Sequence, residues 1–199
     1  MRTEKGSGLT PQCQHPCACV SRPDGKPHRS AQVNCTLRSM FAAQGIGRTA
    51  RAGRLEKAME VVCGDRKQTS LELNMSFCEE LVDITPLAKL GELQSLQQLT
   101  LSLWQCSWLV DVAPLAKLGE LQSLQQLTLN LNLCERLVDI TPLAKLGELR
   151  SLQQLTLDLR GCRKLPSRMM KEFTNLAEFL AACESGALRL VLRRRAAQA

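Results

Sequence analysis

The chain has 199 residues, of which 44% are hydrophobic, 23% charged and 3% aromatic, and its formal net charge is +7. That length allows one domain with a modest core, and with Tyr absent the packing must fall to leucine. No apolar run approaches the roughly 18 residues of a membrane span, and the opening MRTEKGSGLTPQC has no apolar segment of a secretory signal. An intracellular location, cytoplasmic or nuclear, is therefore expected.

Charge is unevenly distributed. Residues 1–70 carry net +7, residues 71–162 net −5 and residues 163–199 net +5. Residues 1–50 read as a disordered basic arm. Pro11, Pro16, Pro23 and Pro27 stand among few apolar residues there, too little to offset the entropy of ordering. Cys13, His15, Cys17, Cys19, His28 and Cys35 fall in this arm, but C-x3-C-x-C is not a pair of zinc knuckles. No metal and no cofactor is expected.

Residues 51–70 are assigned to an N-terminal capping helix. Leu55, Ala58, Met59 and Val62 recur at i, i+3, i+4 and i+7, and Gly64 stops the run.

Residues 71–162 repeat with a period of 28. The strings LEL, LTL, LTL and LTL begin at Leu71, Leu99, Leu127 and Leu155, and Cys78, Cys106, Cys134 and Cys162 keep the same step. A period in this range means one supersecondary unit stacked on copies of itself. Within a unit, Leu99, Leu101 and Leu103 alternate with polar residues, the pattern of a strand with one buried face. Parallel strands are expected near 71–75, 99–103, 127–131 and 155–159. Pro114 then opens a segment in which Leu115, Leu118, Leu121 and Leu124 recur every third residue. That step suits a short helix or 3₁₀ segment better than a long α-helix. Gly119 weakens it by roughly 1 kcal/mol relative to Ala.

The unit resembles the cysteine-containing subtype of leucine-rich repeat. That family runs C-x-x-[IL]-T-D, then leucines at steps of about three, then L-x-L and the next Cys; here Cys106, Leu109, Asp111, Leu121, Leu124, Leu127 and Leu129 fall at the matching offsets. Val110 replaces the usual Thr, and the segment from Leu129 to Cys134 is two residues longer than usual, giving a period of 28. The resemblance covers under half of the chain. It implies an α/β fold: a short leucine-rich-repeat solenoid, with parallel strands and short helices on the convex side. It also implies a protein-binding scaffold, and by analogy a ubiquitin-ligase substrate adaptor, although residues 1–70 show no F-box-like helical domain. A fragment of a longer solenoid is a further reading.

Residues 163–185 are assigned to a C-terminal capping helix. Ser167 is its N-cap, and Met169, Met170, Phe173, Leu176, Ala177, Leu180 and Ala181 form its apolar stripe. Residues 186–199 form a basic tail containing Arg193, Arg194 and Arg195.

The ladder cysteines Cys78, Cys106, Cys134 and Cys162 are expected as buried reduced thiols. Asp83, Asp111 and Asp139 form a second column beside them, suited to hydrogen-bonding loop amides. Both histidines lie in the arm, and no P-loop, nucleophile elbow or zincin motif occurs. No enzyme is expected.

A non-enzymatic protein-interaction module is the leading function. Leu99–Gln126 and Leu127–Gln154 differ at eight positions, five of them crowded into Ser102/Asn130, Trp104/Asn132, Gln105/Leu133, Ser107/Glu135 and Trp108/Arg136. PLAKLGEL does not change. The variable edge, Ser102, Trp104, Gln105, Trp108, Asn130, Asn132, Arg136, Asp158 and Arg160, is therefore the expected partner-binding surface, on the strand side of the repeats. The alternative is a nucleic-acid or anionic-surface binder acting through the basic ends.

Overall fold

The computed structural model describes residues 48–78 and 81–184, with side chains described from Leu55 onward. Nearly all of the expected N-terminal arm, its Cys/His cluster and the basic tail lie outside the described residues.

The structure is α/β, with a five-stranded, mostly parallel sheet and short helices. Helix α1 spans Arg48–Cys63. It begins inside the segment assigned to the arm, where Arg and Ala, both good helix formers, dominate the sequence. Leu55, Ala58, Met59 and Val62 are buried against the first repeat.

Strands β1 (Ser70–Asn74), β2 (Gln98–Ser102), β3 (Gln126–Asn130) and β4 (Gln154–Asp158) pair in chain order and in parallel. Each residue faces the one 28 positions on, as Leu71 faces Leu99 and Leu99 faces Leu127. The alternating leucines point inward, and Glu72 and Thr100 are exposed on the other face.

The hydrogen-bond ladder continues past each strand. Met75 N–H donates to the Ser102 carbonyl, and Phe77 N–H to that of Trp104, both at 2.8 Å. Each repeat thus gains one more in–out step beyond its strand, burying Met75, Leu103, Leu131 and Leu159. The step ends in a left-handed residue: Phe77, Gln105 and Leu133 have φ of 63°, 58° and 61°. Gly161 takes the same place in the fourth unit at 72°. A side chain there costs about 1–2 kcal/mol.

The return segments are 3₁₀ helices at Thr85–Glu92, Ala113–Glu120 and Thr141–Glu148, each with Pro at its start. Gly91 and Gly119 have a packing reason to be glycine. A Cβ on Gly91 would lie 2.7 Å from the Lys117 carbonyl oxygen, and one on Gly119 2.4 Å from that of Lys145. Glycine there lets adjacent segments approach backbone to backbone.

The C-terminal segment differs from the expected single helix over 163–185. Ser167–Met169 is a short 3₁₀ turn, and β5 (Glu172–Phe173) pairs antiparallel with β4. A helix, α2, then runs over 176–184. Its start is set by Asn175, not Ser167: Asn175 Oδ1 accepts the Ala177 N–H at 2.8 Å. Met169 and Phe173 are buried but precede the helix, while Ala177 and Ala181 are exposed. Phe179, absent from the expected stripe, is fully buried edge-on to Phe173, with ring centroids 5.5 Å apart.

Candidate protein-interaction surface at the strand exits

Each exit turn is built by a short polar side chain at the end of its strand. Asn74, Asn130 and Asp158 each use Oδ1 to accept the N–H two residues on, at 3.0–3.1 Å. Ser102 does not close a turn in this way. Its hydroxyl lies 2.8 Å from that of Ser76 in the preceding repeat. These contacts give Ser102, Asn130 and Asp158 structural work on the edge where a partner was expected.

The first two repeats present the aromatic part of the edge. Phe77 and Trp104 stack at a tilt with centroids 4.5 Å apart. Phe77 is 48% exposed and Trp104 half-buried. Trp108 is 41% exposed, and the Arg136 guanidinium lies over its ring, 4.0 Å from the centroid. A cation in that position is held by the ring quadrupole, by roughly 0.5–1 kcal/mol at an exposed site. Phe77 was missed in the sequence. Its signal was its place in register with Gln105 and Leu133, one residue before the ladder cysteine.

The last repeat presents a different edge. Arg160 grips Asp158 through Nε at 2.9 Å and a terminal nitrogen at 2.7 Å, and Asn132 donates to the same carboxylate at 3.3 Å. Glu172 of β5 stands 3.6 Å from Arg160 on the other side. Burial raises the cost of charging Asp158. The hydrogen bonds and charge of Arg160, with the Asn132 amide, outweigh it and hold the carboxyl below its ordinary value. The exit edge therefore runs from half-open aromatics to a closed ion-pair network. Gln105, Asn132 and Leu133 lie between them, half-buried.

Behind the edge, Cys78, Cys106, Cys134 and Cys162 are buried. Cys106 donates to the Met75 carbonyl, Cys134 to Leu103 and Cys162 to Leu131, at 3.1–3.2 Å. Asp83, Asp111 and Asp139 are exposed, and each accepts the N–H two residues on, at 2.7–2.8 Å, fixing the start of a 3₁₀ segment. Among the described residues no His, Cys, Asp and Glu group is placed to hold a metal ion, and no helix is long and apolar enough to cross a membrane.

Comparison with protein-family models and with curated proteins finds no match.

Proposed function

We propose that the chain is a non-enzymatic protein-interaction module, a short solenoid of leucine-rich-repeat type, whose partner lies over the strand-exit edge. The observation that carries this reading is the half-open pair Phe77–Trp104, with Trp108 in the same repeat as Trp104. Aromatic side chains are enriched among residues that dominate binding energy. Five of the eight differences between the second and third repeats gather on this edge, whereas the glycines of the 3₁₀ side have a packing reason to stay constant.

Capture on the immobilised full chain at low and high salt tests this reading against the basic-end alternative. A protein partner retained at high salt, and lost from Trp104→Ala with Trp108→Ala, is expected. Retention of nucleic acid alone, falling steeply with salt and indifferent to both tryptophans, would reject it.

A further inference from the structure

We propose that Val82, Val110 and Val138 form a second docking strip, one that receives a basic amphipathic helix of a protein partner. These valines occupy the same place in three consecutive repeats and are 40%, 41% and 52% exposed. A single exposed valine is ordinary, whereas three in register make a continuous apolar strip. Asp111 and Asp139 pair as a parallel bridge beside two of them. Val110 and Val138 therefore stand about one strand spacing, roughly 4.8 Å, apart along the stack, and the parallel register of β1 with β2 carries the same step back to Val82.

That spacing selects the occupant. A helix lying along the stack offers side chains at i, i+3 and i+7, which rise by about 4.5 and 10.5 Å, against about 4.8 and 9.6 Å for the valines. An extended strand brings same-face side chains round only every 6.6–6.8 Å or about that, and falls out of step by the second valine.

Charge selects its polarity. Asp83, Asp111 and Asp139 follow the valines directly and are exposed. Among the described residues no Lys or Arg pairs with them. The 3₁₀-side glutamates differ: Glu92 pairs with Arg66, Glu120 with Lys117 and Glu148 with Lys145. The repeat body as a whole carries net −5 over 71–162. A helix with leucines over the valines and Lys or Arg along the aspartate flank meets both features. This strip is separate from the exit edge, so its failure would leave the proposed function intact.

The probe is a labelled synthetic helix with Leu at i, i+3 and i+7 and Lys along one flank, titrated by fluorescence anisotropy against the full chain. Saturable binding is expected, weakened about tenfold or more by Val110→Ser with Val138→Ser, and also by Asp111→Asn with Asp139→Asn. Asn keeps the oxygen that accepts the turn N–H, and all four positions are exposed, so unchanged melting of both variants is expected. Lys117→Ala should leave affinity unchanged. No saturable binding, or binding indifferent to the valine pair, overturns the proposal. Equal binding of a Glu-for-Lys version of the helix overturns it too. Tighter binding to the strip by a synthetic peptide of residues 186–199 would assign it to the chain's own tail. A concentration-dependent dimer abolished by the valine pair would assign it to a second copy. Either result also overturns the proposal.

Discussion

The Cys134 thiol donates to the Leu103 carbonyl, 3.2 Å away across 31 residues of chain. The contact ties the turn of one repeat to the exit turn of the repeat before it. Burial is the main cause that pushes Cys134 up to about 12 and Cys162 up to about 11, and Cys106 is raised further still. Cys63 is likewise pushed up to about 11 by burial and Cys183 is raised, so access decides the order: iodoacetamide should modify half-buried Cys63 and Cys183 before the buried ladder thiols. Site-resolved mass spectrometry checks this, and Cys106 or Cys134 reacting as fast as Cys183 would contradict it. Folding raises these pKa values, so the thiol contribution is fully present below the unfolded thiol value, about 8.5. It is lost as pH climbs through the folded values, and melting temperature should fall across that alkaline range.

Gly119 reverses the usual expectation for a helical glycine. Propensity alone would make Gly119→Ala stabilising by about 1 kcal/mol. A Cβ there meets the Lys145 carbonyl oxygen at 2.4 Å, and backbone must move to admit it. The substitution should instead destabilise by about 1–3 kcal/mol, as overpacking does. Equilibrium denaturation measures the sign.

Sequence periodicity was enough for the strands, because a 2-residue alternation repeated every 28 residues admits one register. All four begin one residue earlier than expected, since Ser70, Gln98, Gln126 and Gln154 pair although they are polar. In sequence Gly119 reads as a weak point, because its reason is a neighbouring backbone, which no local pattern reveals. The C-terminal segment departs from its sequence pattern for a more tractable cause. Ser167 follows a proline and resembles a cap, but Asn175 with Glu178 three residues on is the fuller capping signature. Recognising it would have freed Phe173 to be a strand residue. At the exit edge, the variability of Asn130, Asp158 and Arg160 was visible. The network that joins Asp158 to Arg160 and Asn132, and Arg160 to Glu172, was not, because β5 returns beside β4 only in the folded chain.

Asp158→Asn isolates the charge in that network, since Asn retains the oxygen that accepts the Arg160 N–H. The carboxyl sits below its ordinary value in the fold. Its stabilisation is therefore present above the unfolded carboxylate value of about 3.9 and is lost as pH falls through the lower folded value. The variant should melt at a lower temperature than the parent at neutral pH, and the difference should shrink steadily as pH drops below about 4. Thermal melts across that range check it, and a constant difference would show that the charge is not the stabilising element.

We propose that a protein partner lies over the exit edge, centred on the aromatics of the first two repeats. The affinity of the captured partner for Trp104→Ala, Arg160→Ala and Lys117→Ala tests it most directly, by titration calorimetry. Trp104→Ala should cost about 1–3 kcal/mol. Arg160→Ala should cost less, because Asp158 and Glu172 already engage that side chain. Lys117→Ala, on the 3₁₀ side and paired with Glu120, should change nothing measurable. Loss of affinity from Lys117→Ala with both edge variants silent would move the recognition face to the 3₁₀ side and contradict the account.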